Sequence, residues 1–164
     1  MVKIKKLRLY LDTSIISHLE APDVPDKEAD TKKLWEKIKA GEFEAFISPV
    51  VVMEIDNCHE PKRSFLQKEL RTTPHIVLKR SDEVANLADQ YIAAKILKPK
   101  YYNDCLHIAY TRIYNCDMLL SWNFEHLVNY KTIAGVKSVN ALAGYDETRM
   151  YPPSMLIGGN ENEL

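Results

Sequence analysis

An α/β fold built on a parallel sheet of four to five strands follows from two features of the 164-residue sequence. Short apolar runs rich in β-branched and aromatic residues alternate with longer segments of helical period. Parallel neighbours need a crossover between them, and the intervening segments are long enough to supply it as helices.

The run "LRLYLD" (7–12) alternates apolar residues and ends in a polar cluster, as a first buried strand would. Residues 17–26 contain Pro22 and Pro25 and read as a loop. The next stretch, 26–43, places Leu34, Trp35 and Ile38 at helical spacing, with lysines late in the segment and Gly41 as a stop. A second strand is expected over "FEAFIS" (43–48), after which Ser48 and Pro49 suit the N-cap and first position of a helix. On that helix Val51, Glu54, Ile55 and Cys58 fall at i, i+3, i+4 and i+7, so Glu54 lies in the stripe that faces the protein. An unpaired charge there would cost several kcal/mol. Glu54 therefore needs a partner.

A short helix over 62–71 and a strand over 75–79 come next. Ser81 opens a helix to about residue 97, with Val84, Leu87, Ala88 and Tyr91 inward and Asp82 and Glu83 in its first turn. "KPKYY" (98–102) breaks the pattern, and Asn103 reads as the cap of a helix over 104–115. "MLLS" (118–121) is a fourth strand, "NFEHLVN" (123–129) a short helix or turn, and "VKSVN" (136–140) a fifth strand. One domain is expected over 1–150, with 151–164 as an irregular tail.

With 22 Lys and Arg against 23 Asp and Glu, no global basic field announces a nucleic-acid partner. The three cysteines form no C-x-x-C pair and suit a reducing compartment, where they act as small buried hydrophobes. No apolar window reaches the length of a membrane span, so a cytoplasmic location is expected.

Ligands of an open parallel sheet gather beyond the carboxyl ends of its strands. Asp12 ends the first strand, Glu54 lies one turn into the helix after the second, Asp104 starts the helix before the fourth, and Asn123 follows that fourth strand. Crowded carboxylates bind protons unless a cation neutralises them, and a hard ion such as Mg²⁺ or Mn²⁺ suits oxygen donors. Such an ion equips a site for phosphodiester hydrolysis. Two lysines and two tyrosines, Lys98, Lys100, Tyr101 and Tyr102, precede the helix of Asp104, a combination of charge and stacking surface that suits a single nucleic-acid strand. Trp122 offers a further stacking face, although an aromatic at a strand end also suits the core. The other histidines, His18, His59, His75 and His126, lack partners at ligand spacing and read as surface or core residues, while Asp117 is a reserve acid.

At "LYLDTSIIS", the Glu of "SPVVVMEI", "NDCLHIAYTRIYNCDMLLSWNFEHLVN" and "AGYDETRMYPPSML", taken in that order, the chain resembles the PIN-domain nucleases, particularly the VapC-like toxins. The resemblance implies a three-layer α/β/α fold, a divalent metal and cleavage of single-stranded RNA. It assigns metal binding to Asp12 and Asp104, and to Glu54 either metal binding through water or the role of base. Asn123 stands where many members have Asp and would orient a water or a substrate oxygen. Ser14 would set the rotamer of a carboxylate, and His107, one turn beyond Asp104, would pack against or support the carboxylates. A protein antitoxin and a homodimer are the partners implied. The competing class is a non-catalytic RNA- or protein-binding module that keeps the fold. Transfer through an aspartyl phosphate would want a second Asp at position 14, where Ser stands.

Overall fold

A computed structural model describes residues 5–157. Five parallel strands, β1 (Arg8–Leu11), β2 (Glu44–Ile47), β3 (Ile76–Val77), β4 (Met118–Leu120) and β5 (Met150–Tyr151), form one sheet in the order β3-β2-β1-β4-β5. The chain winds outward from β1 through β2 to β3, then crosses back to β4 and β5 on the other side. The winding therefore reverses between β1 and β4, which opens a crevice at the carboxyl ends of these two central strands.

Seven α-helices surround the sheet among the described residues: α1 (Thr13–Ser17), α2 (Pro25–Lys39), α3 (Pro49–Asp56), α4 (Lys62–Arg71), α5 (Asp82–Ala93), α6 (Tyr102–Ile113) and α7 (Tyr130–Ala143). Alternation along β1 separates two cores. Leu9 and Leu11 join buried residues of α1 to α4 on one face, while Tyr10 joins those of α5, α6 and α7 on the other. Each fully buried Leu, Ile or aromatic side chain contributes roughly 1.5–3 kcal/mol, so both faces are committed. The result is a three-layer α/β/α arrangement.

The helix expected to run from Ser81 to about residue 97 stops at Ala93, ahead of Lys95 at φ 59°. The other expected elements hold with four main differences. Thr13–Ser17 is helical, because the Asp12 carboxylate caps it by accepting from the Ile15 N–H at 3.2 Å. Pro25 lies inside a helix, not a loop, since its fixed φ and missing N–H suit the first helical position of α2. Asn103 does not cap α6; a 3-10 turn over Pro99–Tyr101 leads straight into the helix at Tyr102. The expected strand over 136–140 is part of α7, where Thr132, Val136 and Asn140 repeat every fourth residue on the buried side. Asn129 caps that helix, and Gly144 ends it in the left-handed region at φ 83°.

The fifth strand is instead Met150–Tyr151, on the border between the expected domain and tail. The tail beyond it forms a 3-10 turn over Pro153–Met155, and 158–164 lie outside the described residues. All three cysteines are free, with Cys105 and Cys116 buried and each thiol pushed up to about 12, chiefly by burial. Among the described residues no helix is long and apolar enough to cross a membrane.

Candidate active site

Asp12 stands at the crevice between β1 and β4, buried to 3% exposure. Its Oδ1 accepts from the Ser14 hydroxyl at 2.6 Å and from the Ile15 N–H, and its Oδ2 accepts a short bond from the Ser121 hydroxyl. Both hydroxyls are themselves held by the loop that leaves β4: Trp122 N–H donates to Ser14 Oγ and Asn123 N–H to Ser121 Oγ, each at 2.9 Å. The carboxylate thus receives backbone N–H polarity relayed through two serines. These neutral donors do not offset desolvation. Burial raises the Asp12 carboxyl above its ordinary value despite His107 and the three hydrogen bonds, which pull the other way.

Glu54 finds its partners in Thr13 and His107. The Thr13 hydroxyl donates to Glu54 Oε1 at 2.8 Å, and His107 Nε2 stands 3.3 Å from the same oxygen. Behind the ring, His107 Nδ1 lies 2.7 Å from the Tyr10 hydroxyl, which is 2.8 Å from Ser48 Oγ. Two proton arrangements satisfy this chain. Either Tyr10 donates to Ser48 and an imidazolium donates from both nitrogens, or Ser48 donates to Tyr10, Tyr10 to Nδ1, and a neutral ring from Nε2. Both present an N–H to Glu54. Burial pushes the Glu54 carboxyl up, but the bonds from His107 and Thr13 together with the pull of His107 outweigh it and leave the group below its ordinary value.

Asp104, in the first turn of α6, places Oδ2 3.0 Å from His126 Nδ1. Burial dominates and raises its carboxyl, and the Glu54 charge adds to the rise, while His107 and His126 oppose it. The Tyr101 ring covers His126 at 3.8 Å between centroids, and Lys100 Nζ lies 5.0 Å from the Tyr101 ring. Asn123 Oδ1 accepts from the His126 N–H at 2.9 Å and so stabilises the turn after β4, while its Nδ2 stands 3.4 Å from His126 Nδ1 and has a second N–H to donate.

Asp12, Glu54, Asp104, Asn123, Ser14 and His107 therefore line one crevice, with Glu54 bonded to His107, Ser14 to Asp12, and Asp104 and Asn123 both to His126. Tyr101 and Lys100 join its rim. Tyr102 turns instead to a cavity of about 300 Å³ between α3, α5 and α6, lined by Met53, Arg80 and Tyr110 among others. Lys98 borders a separate depression beside Ile92 and Leu97. Trp122 is buried, its Nε1–H donating to Thr31 Oγ1 at 2.9 Å, so the exposed aromatic at the end of β4 is Phe124. Asp117 sits at the opposite end of the sheet, where it accepts from the Arg8 N–H at 2.7 Å.

Sequence reasoning passed over His126, Thr13 and Ser121. His126 lies three residues past Asn123, the spacing of an N-cap bond from a side-chain oxygen to a backbone N–H, and that was the available signal.

Among the described residues no three His, Cys, Asp or Glu side chains are grouped closely enough to hold a metal ion. The donor chemistry nevertheless fits a hard dication. Among the described residues nothing donates to Glu54 Oε2 or Asp104 Oδ1 and one hydroxyl alone donates to Asp12 Oδ2, and the raised Asp12 and Asp104 carboxyls would be relieved by positive charge. Mg²⁺ commonly uses one or two carboxylates and completes its shell with water, so a cage of three is not required.

The strand order and the position of the crevice define a three-layer α/β/α protein whose candidate site lies at the switch point of a parallel sheet. No family model matches the sequence, and no curated protein does. Among solved structures the chain is similar to VapC20 of Mycobacterium tuberculosis, a toxin that cleaves the sarcin–ricin loop, with a TM-score of 0.57 over 86% of this chain and 98% of that one at 15% identity. That likeness is one of fold, and it agrees with the VapC-like resemblance in the sequence motifs.

Proposed function

We propose that the protein is a Mg²⁺- or Mn²⁺-dependent endoribonuclease acting on single-stranded RNA, the toxin of a toxin–antitoxin pair. The observation that carries this reading is the placing of Asp12, Glu54 and Asp104, 42 to 92 residues apart in the chain, along one crevice at the switch point of the sheet, with Glu54 bonded to His107 and Asp104 on the same helix as that ring. Asp12 and Asp104 would hold the ion, with Glu54 reaching it through water. When bound, it would draw charge from a phosphoryl oxygen and make water more acidic.

The chain's own groups do the rest. Glu54 Oε2, which accepts no hydrogen bond from a described residue, is the acceptor for the proton of the attacking water, while Thr13 and His107 hold Oε1. The amide of Asn123 can donate to a phosphate oxygen, which an Asp there could not do when ionised. With water as the nucleophile, products end in 5′-phosphate. A protein antitoxin that covers the crevice, and a second copy of the chain, are the partners this reading implies.

The test is labelled RNA incubated with Mn²⁺ and the purified protein, beside Asp12→Asn and Asp104→Asn. Loss of a carboxylate from the centre is expected to slow cutting at least 100-fold, the scale of a group acting directly on the reaction. Equal cutting by all three would assign the activity to a contaminant. No cutting, with no Mn²⁺ uptake by calorimetry, would favour the non-catalytic binding module.

A further inference from the structure

Lys27 and Phe124 form a cation and aromatic pair at the mouth of the crevice that the nucleolytic chemistry itself does not use. Phe124 follows Asn123 directly and is 44% exposed, and its ring stands 6.4 Å from that of Trp122. Lys27 Nζ lies 5.3 Å from the Phe124 ring centroid and 5.7 Å from that of Trp122. Lys27 is half-buried and makes no ion pair with a described residue, although Asp26 and Glu28 flank it in the chain. A lysine partly withdrawn from water, set against two aromatic rings and in no ion pair with a described residue, keeps its charge available for an anion.

The pair is fixed to the carboxylate centre and is not a chance surface contact. Trp122 Nε1–H donates to Thr31 Oγ1, and that hydroxyl donates to the Lys27 carbonyl at 2.6 Å, which pins the first turns of α2 against the loop after β4. The same Trp122 donates its backbone N–H to Ser14, the residue that holds Asp12. On the other side of residues 123–126, Tyr101 lies over His126 with Lys100 beside it, again an aromatic ring and a lysine without an ion pair among the described residues. Two such pairs, one from α2 and the β4 loop and one from the turn before α6, thus flank the stretch that carries Asn123.

We infer that Phe124 stacks on an unpaired base and Lys27 pairs with its neighbouring phosphate, so that a single strand of RNA enters over this pair, crosses the carboxylates and leaves over Tyr101 and Lys100. The inference rests on the proposed nuclease reading for the place of the scissile phosphate. A duplex hides its base faces, so a stacking platform of this kind selects single strands.

Binding is measured by fluorescence anisotropy in EDTA, where the full chain meets a labelled single-stranded RNA oligonucleotide or its duplex without cutting it. Wild type is expected to prefer the single strand. Phe124→Ala should weaken that binding about tenfold, and Phe124→Trp should restore it. Phe124→Leu, which keeps apolar contact with Trp122 but lacks a π-face, should bind as weakly as Phe124→Ala. Lys27→Ala should lower the slope of log affinity against log salt by about 0.7, one phosphate contact on a single strand. Variants that bind like wild type with the same salt slope, or a wild type that prefers duplex or binds neither, would overturn the inference. Cutting by wild type in Mn²⁺ alongside unaffected Phe124 and Lys27 variants would sink this surface and leave the nuclease reading standing. Weakened binding by the variants with no cutting by wild type would do the reverse.

Discussion

Asp12 and Glu54 are two carboxylates in one crevice that are held in opposite ways. Asp12 is enclosed by hydroxyl groups and a helix N-terminus, and its carboxyl is raised; Glu54 sits between a hydroxyl and an imidazole, and its carboxyl is lowered. Neutral donors satisfy the lone pairs of a buried acid without replacing the solvation of its charge. The imidazole of His107 supplies that missing part at Glu54. At Asp12 the deficit remains, and that is the deficit a dication would fill.

The difference can be broken most strongly at His107. Replacing it with Ala removes a buried ring, takes one of the two partners of the Tyr10 hydroxyl and leaves Glu54 without its imidazole, and the expected loss is about 3 kcal/mol. At this chain length that corresponds to roughly 6–12 °C in Tm. A loss below about 1 kcal/mol by urea unfolding would show that the ring carries little of the centre. Ser121→Ala tests the other side: it removes one charge-assisted bond to Asp12 and strands the Asn123 N–H, at a cost of about 2 kcal/mol. Chemical denaturation in EDTA reads it directly.

The smallest effects carry opposite signs, which makes them the sharpest comparison. A raised carboxyl binds its proton more tightly in the folded state, so the contribution of Asp12 is complete below its unfolded value and is lost as pH rises through the folded one. At pH 7 without divalent ions, Asp12→Asn should therefore stabilise the fold, by on the order of 1 kcal/mol, and the gain should shrink on acidification. A lowered carboxyl contributes above its unfolded value and loses that contribution as pH falls through the folded one. Glu54→Gln should then destabilise at pH 7, by less, because about a third of the Glu54 side chain meets solvent and its field is screened. Shifts of the same sign in the two variants would refute the contrast.

The acids themselves were legible in the sequence because each interrupts a local pattern: Asp12 ends an alternating run, Glu54 breaks an apolar helical stripe, and Asp104 opens a helix. Their support was not. Ser121 reaches Asp12 across 109 positions and His107 reaches Glu54 across 53, and no period within a short window encodes such pairs. The same limit explains the fifth strand. "VKSVN" has the β-branched content of a strand, but α7 is set by its Asn129 cap and by buried Asn140, which accepts from the Tyr91 hydroxyl and donates to the Asp146 carbonyl and the Thr148 hydroxyl. Met150–Tyr151 is too short to show an alternation and is a strand only because β4 lies beside it. Trp122 and Phe124 illustrate the point at the rim. Both are aromatic and only two positions apart in the sequence, and the packing of α2 decides which one meets solvent.

That late strand has a bearing on the order in which the protein is made. Tyr151 offers its carbonyl to the Ser121 N–H at 3.1 Å, and Ser121 in turn grips Asp12. A polypeptide that stops short of Met150 already holds Asp12, Glu54, Asp104 and Ser121 but lacks the carbonyl that braces Ser121, so the surroundings of Asp12 are complete only once residue 151 is in place.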